Sequence, residues 1–104
     1  MAENKIGKKQ PIDSIRTSSV TVSGVVVAIP TLGRRSHLKI KNVGAVEVAI
    51  VTSLDDLATD GYTIAASGGE FIEDTNAQLY AISTGAASEL RIYERADRNM
   101  IFNN

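Results

Sequence analysis

Hydrophobic and polar residues alternate along most of this chain. Over residues 34–42, Leu38 and Ile40 fall on one face while Lys39 and Lys41 fall on the other; over residues 46–50, Val46, Val48 and Ile50 oppose Glu47 and Ala49. A period of two is the mark of a strand with one buried face and one wet one. Between these runs lies Asn42-Val43-Gly44-Ala45, where Asn tolerates left-handed backbone angles and Gly adopts them freely. The pattern predicts a hairpin. Residues 62–66 and 70–74 flank Ser67-Gly68-Gly69, a second predicted hairpin, and residues 78–83 and 88–95 flank Thr84-Gly85-Ala86-Ala87, a third. Upstream, Val20, Val22, Val25, Val27 and Ile29 form a β-branched stretch that stops at Pro30, and Gly24 within it marks a bulge or bend. Residues 52–61 are the one stretch suited to a helical turn, with Ser53 as cap and Asp55 and Asp56 near the positive end of its dipole.

About seven short strands with turn signals every eight to twelve residues predict an all-β fold, a small antiparallel β-sandwich (jelly-roll-like) or a barrel. No internal repeat is visible, which disfavours a solenoid. Residues 1–18 keep neither period; they are polar around Ile6, Ile12 and Ile15, with Lys5, Lys8, Lys9 and Arg16 scattered among them, and are expected to form a flexible or extended N-terminal arm. The sandwich is expected over residues 19–95, with 96–104 as a polar C-terminal tail broken by Met100-Ile101-Phe102.

At 104 residues the chain holds one domain. Its net charge of −1 gives no long-range field to gather nucleic acid, so specific DNA or RNA binding is not expected. Without cysteine, neither disulfides nor thiolate metal sites are available, and the redox compartment stays open. No apolar run approaches the roughly 20 residues that span a bilayer, and the positive N-terminus has no apolar stretch behind it, unlike a secretory signal. An Asn-x-Ser/Thr acceptor is likewise missing. The chain is expected to work in the cytosol or in something assembled there, away from membranes. Lack of tryptophan counts against a lectin-like sugar platform.

A body of fewer than about 80 residues buries only about 60% of its unfolded surface and gains a few kcal/mol from its core. Small domains of this kind draw on disulfides, a metal or association. Here the first is impossible and no ligand cluster supports the second, so a homo-oligomer is expected. An extended arm of 18 residues reaches on the order of 60 Å, far enough to cross a neighbouring subunit, and Met100, Ile101 and Phe102 are suited to anchor a tail or add a strand to a sheet edge. The plainer alternative is a disordered arm and a frayed end.

The one histidine, His37, falls by alternation with the lysines on a solvent or interface face, and no Gly-x-Ser-x-Gly elbow accompanies it. Asp55/Asp56 and Glu73/Asp74, with Asp60 and Glu70 nearby, do not show the facing pair that glycoside hydrolysis needs. Asp55-Asp56-x-x-x-Asp60-Gly61 lacks the alternating register and distant Glu of a calcium loop. Gly68-Gly69 is a turn with no following helix or lysine to make a phosphate cradle. No catalytic residue, cofactor or metal ligand is assigned. Arg34 and Arg35, with Lys39 and Lys41 after them, form a basic stripe that is either a solvated face or a contact for an acidic partner surface.

Several segments resemble small β-sandwich virion proteins of tailed bacteriophages, of the capsid-decoration or head-fibre kind. They are Arg34-Arg35-Ser36-His37-Leu38-Lys39-Ile40-Lys41-Asn42-Val43-Gly44, Gly61-Tyr62-Thr63-Ile64-Ala65-Ala66-Ser67-Gly68-Gly69-Glu70, Gln78-Leu79-Tyr80-Ala81-Ile82-Ser83 and Leu90-Arg91-Ile92-Tyr93-Glu94. The likeness covers residues 34–95; residues 46–60 depart from it by lacking a short Gly/Thr-rich loop, and the basic arm is longer than in the shortest members. It implies a virion structural protein that oligomerises, often as a trimer, and binds the major capsid protein or another virion surface. A decoration or cement protein is the leading expectation, with Lys5, Lys8, Lys9 and Arg16 of the arm lying on the shell. A neck, tail or head-fibre component is the first rival, and a carbohydrate- or receptor-binding module the second.

Overall fold

A computed structural model describes residues 14–96. They form β1 (Ser14–Val22), β2 (Val27–Ala28), β3 (His37–Asn42), β4 (Val48–Val51), a 3-10 turn (Ala58–Asp60), β5 (Tyr62–Ile64), β6 (Glu70–Glu73), β7 (Tyr80–Ser83) and β8 (Ser88–Ala96). Two four-stranded sheets result, with strand orders β1-β8-β3-β6 and β2-β7-β4-β5, and every pairing is antiparallel. This is the eight-strand, two-sheet arrangement of a jelly roll. The expected β-sandwich is the fold, with eight strands among the described residues where the pattern predicts about seven.

All three predicted hairpins are absent as pairings. β3 lies in the first sheet and β4 in the second; β5 and β6 are divided in the same way, as are β7 and β8. Alternation states that each strand buries one face, but not which strand lies beside it. Here each Gly-containing turn carries the chain from one sheet across to the other, a gap of about 10 Å. Side chains hold these corners in place of a strand ladder. The Asn42 carboxamide donates to Val46 O (2.8 Å) and accepts from Gly44 N–H (3.1 Å), while the Ser83 hydroxyl donates to Ala86 O (2.6 Å) and accepts from Gly85 N–H (3.2 Å). The bend expected at Gly24 is the corner between β1 and β2.

β1 begins at Ser14, so residues 14–18 belong to the sheet and not to the arm. They pair with the far end of β8 in a nine-residue ladder that runs from Ser14↔Ala96 to Val22↔Ser88. The pattern hid this because the inward positions are polar, Arg16 and Ser18, before Val20 and Val22 restore an apolar face. The remainder of the predicted arm and tail, with Lys5, Lys8, Lys9, Met100, Ile101 and Phe102, lies outside the described residues.

Leu38 and Ile40 of β3 and Leu90 and Ile92 of β8 meet Val48 and Ile50 of β4 and Ala81 of β7 between the sheets. β4 is buried along its whole length because its other face is covered too. There Ala49, Val51 and Ile82 form a second apolar cluster, packed by Ala58 of the 3-10 turn, Val26 and Tyr80. The helical turn expected within residues 52–61 thus exists, but late, at Ala58–Asp60, and it serves to cap the outside of the second sheet. Ser53 instead accepts the Asp55 N–H (3.1 Å). At the open edge between β5 and β6, the Tyr62 and Phe71 rings meet with centroids 5.8 Å apart. No helix among the described residues is long and apolar enough to cross a membrane.

Gly44 is required by close approach. A Cβ there would lie 2.6 Å from the Glu89 nitrogen and 2.8 Å from Ser88 Cα, with the Ser88 hydroxyl closer still. Backbone cannot yield as a flexible side chain does, so Gly44→Ala is expected to cost about 1–3 kcal/mol, read as a lowered melting temperature. An unchanged melting temperature would show that the corner is looser than its geometry.

Candidate functional site

Two buried polar clusters hold opposite ends of the sandwich. At one end Glu94, on the inward face of β8, is wholly buried. Its Oε2 accepts from Arg35 Nη1 (2.7 Å) and from the Leu32 N–H (2.9 Å), and its Oε1 accepts from Arg16 Nη2 (2.9 Å) and Nε (3.1 Å). Arg35 is aimed inward by a tight turn in which its N–H bonds Leu32 O (3.1 Å) and Arg34 adopts a φ of 60°. Its guanidinium also donates to Thr75 O (3.0 Å), Pro30 O (3.2 Å) and Ala77 O. One side chain thereby ties the β2–β3 loop, the β6–β7 loop and β8 together. Gln78 adds to the same end, donating to Ile29 O and Leu79 O (both 2.9 Å) and accepting from the Thr31 hydroxyl (2.9 Å).

Burial alone raises the carboxyl pKa of Glu94, but the Leu32 amide, then Arg35, then Arg16 outweigh it and hold the group below its ordinary 4.5. Glu94 is therefore a charged, fully partnered anion.

At the other end Asn42, also wholly buried, uses every hydrogen-bonding position of its amide. Nδ2 donates to Val46 O (2.8 Å) and Ile64 O (3.3 Å); Oδ1 accepts from Gly44 N–H (3.1 Å) and the Ser88 hydroxyl (2.9 Å). Its backbone bonds the neighbouring corner, with Asn42 N–H to Gly69 O and Gly68 N–H to Asn42 O. Three corners are joined by this one residue.

The predicted contact residues fare differently. Arg35 does not belong to a basic surface stripe: its side chain is wholly buried against Glu94, because only a five-donor guanidinium satisfies this set of loop carbonyls and the carboxylate at once. Arg16 is half exposed yet engaged with the same carboxylate. Arg34 is exposed. Lys39 and Lys41 do lie on the outer face of the first sheet, alongside Arg91 and Arg95 of β8. His37 shares that face, as its alternation predicted, with Nδ1 2.7 Å from Asp74 Oδ1 and its ring edge-on to Tyr93. Two carboxylates of the stretch that resembles a calcium loop turn to backbone: Asp56 accepts from Thr52 N–H (3.4 Å) and Asp60 from Leu57 N–H (2.8 Å). Among the described residues no group of three or more His, Asp or Glu is placed to hold a metal ion.

Sequence reasoning missed the Glu94–Arg35–Arg16 cluster and the Asn42 cluster. A signal for the first was present: Glu94 stands in register with Leu90 and Ile92 on the apolar face of its strand, where a lone charge requires a partner.

No family model matches this chain, and no curated protein matches it. A search of solved structures finds one described as Bacillus endospore appendages, a family of disulfide-linked pili. It is 13% identical, with 93% of this chain and 96% of that chain covered, at a TM-score of 0.52. At that identity the likeness is one of fold.

Proposed function

We propose that this chain is a structural subunit of a bacteriophage virion, a decoration or cement protein that binds the head shell as an oligomer and stabilises it. The observation that carries this reading is how the polar side chains of the loops are used. At both ends of the sandwich the best-placed charged and amide groups, Arg35, Glu94, Gln78 and Asn42, bond to the protein's own backbone and to one another. Loops that bind small molecules or carry catalysis present such groups outward on a rigid scaffold; these loops are bound shut. The surface left to act carries exposed large hydrophobic side chains, Ile15, Tyr62 and Ile72 on strands and Val25, Leu54 and Leu57 in the connections. A stiff block with sticky faces suits a shell or fibre. The sequence resemblance over residues 34–95 supports the phage context, and Lys5, Lys8 and Lys9 are the residues proposed to meet the major capsid protein.

Cryo-EM of the virion tests the proposal. Hundreds of copies arrayed on the head are expected; a handful at the neck, tail or fibre would shift the assignment there, and no copies would end it. Truncation tests the arm. Because β1 begins at Ser14, the informative variant lacks residues 1–13, not 1–18, which would remove Arg16 from Glu94. It is expected to stay folded and to lose binding to empty shells, as read by co-sedimentation. Full binding would remove the arm from the proposal.

A filament subunit is a second reading, favoured by the structural likeness to the endospore pilus. These 104 residues contain no cysteine, so their assembly would not rest on the disulfide links named for that neighbour. Fibres in negative-stain images of the purified protein would favour this reading.

A further inference from the structure

The two sheets differ in charge. Residues 42–90 contain no lysine or arginine and eight carboxylates, of which Glu47, Asp55, Asp56 and Asp60 lie in the β3–β4 and β4–β5 connections and Glu70, Glu73, Asp74 and Glu89 on or beside the first sheet. The strands β4, β5 and β7 fall in this stretch, and β2 is Val27–Ala28, so the second sheet has no basic residue in any strand. Its outer side is covered by the β4–β5 connection, which bears Asp55, Asp56 and Asp60 beside the exposed Leu54 and Leu57, 62% and 64% accessible. The first sheet carries charge of both signs, with a cationic excess on its outer face. Its outward positions carry Lys39 and Lys41 of β3 and Arg91 and Arg95 of β8 against two carboxylates, Glu70, which lies 3.6 Å from Lys39, and Glu89, which accepts from Arg91 at 3.0 Å; Asp74 at the corner is engaged with His37. Ile15 and Ile72 at its margins are 60% and 53% exposed.

We propose that the outer face of the first sheet docks on the acidic, leucine-bearing outer side of the second sheet of another copy of this chain. The inference deepens the structural-subunit reading above and rests on it. Charge complementarity selects the occupant. Each molecule presents a cationic face and an anionic face on opposite sides, each with exposed apolar side chains, so the surface that best fits either one is the other. Like faces repel, which disfavours a symmetric dimer through either side. The contact is head-to-tail, closing into a ring where the rotation permits and otherwise running into a stack.

Its strength follows from its size. Strands of six to nine residues rising about 3.3 Å per residue, four across at about 4.8 Å, present roughly 400–550 Å² in projection. That is below the roughly 800 Å² each partner contributes to a stable complex. A single contact is weak, and copies held close on a shell make it effective. Salt weakens it by screening the rim charges.

Two variants of the full chain test the proposal. Lys41→Glu with Arg91→Glu turns the first face acidic; Asp55→Lys with Thr59→Lys turns the second side basic. All four positions are exposed, and circular dichroism serves as the folding control. Sedimentation velocity at low ionic strength is expected to show concentration-dependent association of the unaltered chain that fades with added salt. Each variant alone is expected to lose association by at least about tenfold, and an equimolar mixture of the two, now basic against acidic, is expected to regain it. Unaltered association in either variant, or a mixture that stays dissociated, overturns the proposal, as does a chain that remains monomeric at low salt. Shell binding measured on the same variants separates the two ideas: binding retained while stacking fails removes this inference alone, and stacking without binding to any shell removes the decoration reading.

Discussion

Glu94→Ala is expected to destabilise the protein by about 3–5 kcal/mol, as much as the whole core of a small domain supplies. The size of the effect follows from what is left behind. Arg35 is wholly buried; without Glu94 its guanidinium has only the carbonyls of Pro30, Thr75 and Ala77, while the Leu32 N–H loses its acceptor. Arg35→Ala is expected to do comparable harm from the other side, since it strands a buried carboxylate with the half-exposed Arg16 and releases three loop carbonyls. Urea unfolding measures both, as a shift in midpoint at constant slope. The double variant Glu94→Leu with Arg35→Met separates the pair from the place. Because replacing both members of a buried ion pair with apolar groups is far milder than removing one, it is expected to be more stable than either single change. A double variant as unstable as the sum of the singles would mean that the loop carbonyls, not the ion pair, dominate.

Acid is expected to act through the same residue. The folded pKa of Glu94 lies below its ordinary 4.5, so its contribution is complete above that value and declines as pH falls through the depressed one. The urea midpoint of the unaltered protein should therefore be level near neutrality and fall in acid. In Glu94→Gln the decline should be shallower from a lower starting point.

Much of the fold was legible because alternation is a local property. Leu38 and Ile40, Leu90 and Ile92, and the turn residues at Gly44, Gly68 and Gly85 announced buried faces and chain reversals, and the structure has strands and corners there. Pairing was not legible. A corner and a hairpin use the same turn residues, and the choice between them is made by contacts distant in sequence, such as Asn42 with Ile64 and Ser88. The extent of β1 was hidden for a related reason. Arg16 and Ser18 read as an arm by polarity, and only Glu94, 78 residues further along, makes an inward-facing arginine acceptable. Arg35 has the sequence context of a surface charge for the same reason. Its neighbours Arg34, Lys39 and Lys41 are exposed or partly exposed, and composition does not distinguish a guanidinium on a solvated face from one enclosed by carbonyls. The segregation of charge between the sheets was present in the sequence throughout, as 49 residues (42–90) without a lysine or arginine. It acquired meaning once part of that stretch, 48–64 with 80–83, proved to supply most of the second sheet and its outer cover.

At the opposite end, Asn42→Asp is expected to be nearly as damaging as the loss of Glu94, with the opposite response to acid. The two side chains are almost the same shape, so packing is unchanged and the effect is electrostatic. Nδ2 now donates to Val46 O and Ile64 O; a carboxylate oxygen in its place would face two carbonyl oxygens with no proton between them, in a site with no cation among its partners. The cost near neutral pH is expected to be about 3 kcal/mol or more, since a buried charge loses water without gaining a partner. Asn42→Ala, which leaves the same carbonyls and the Gly44 N–H unbonded but introduces no charge, is expected to cost about 2–3 kcal/mol. Burial and the facing carbonyls raise the folded pKa of the new carboxyl above its unfolded value. The deficit is thus greatest above that folded pKa and shrinks as pH falls through it, when the protonated acid again donates one hydrogen bond. Urea midpoints of Asn42→Asp and the unaltered protein should converge on acidification, while those of Asn42→Ala and the unaltered protein should run parallel. Curves for Asn42→Asp that stay parallel as well would show that water reaches this corner and that the amide's four bonds do not close it.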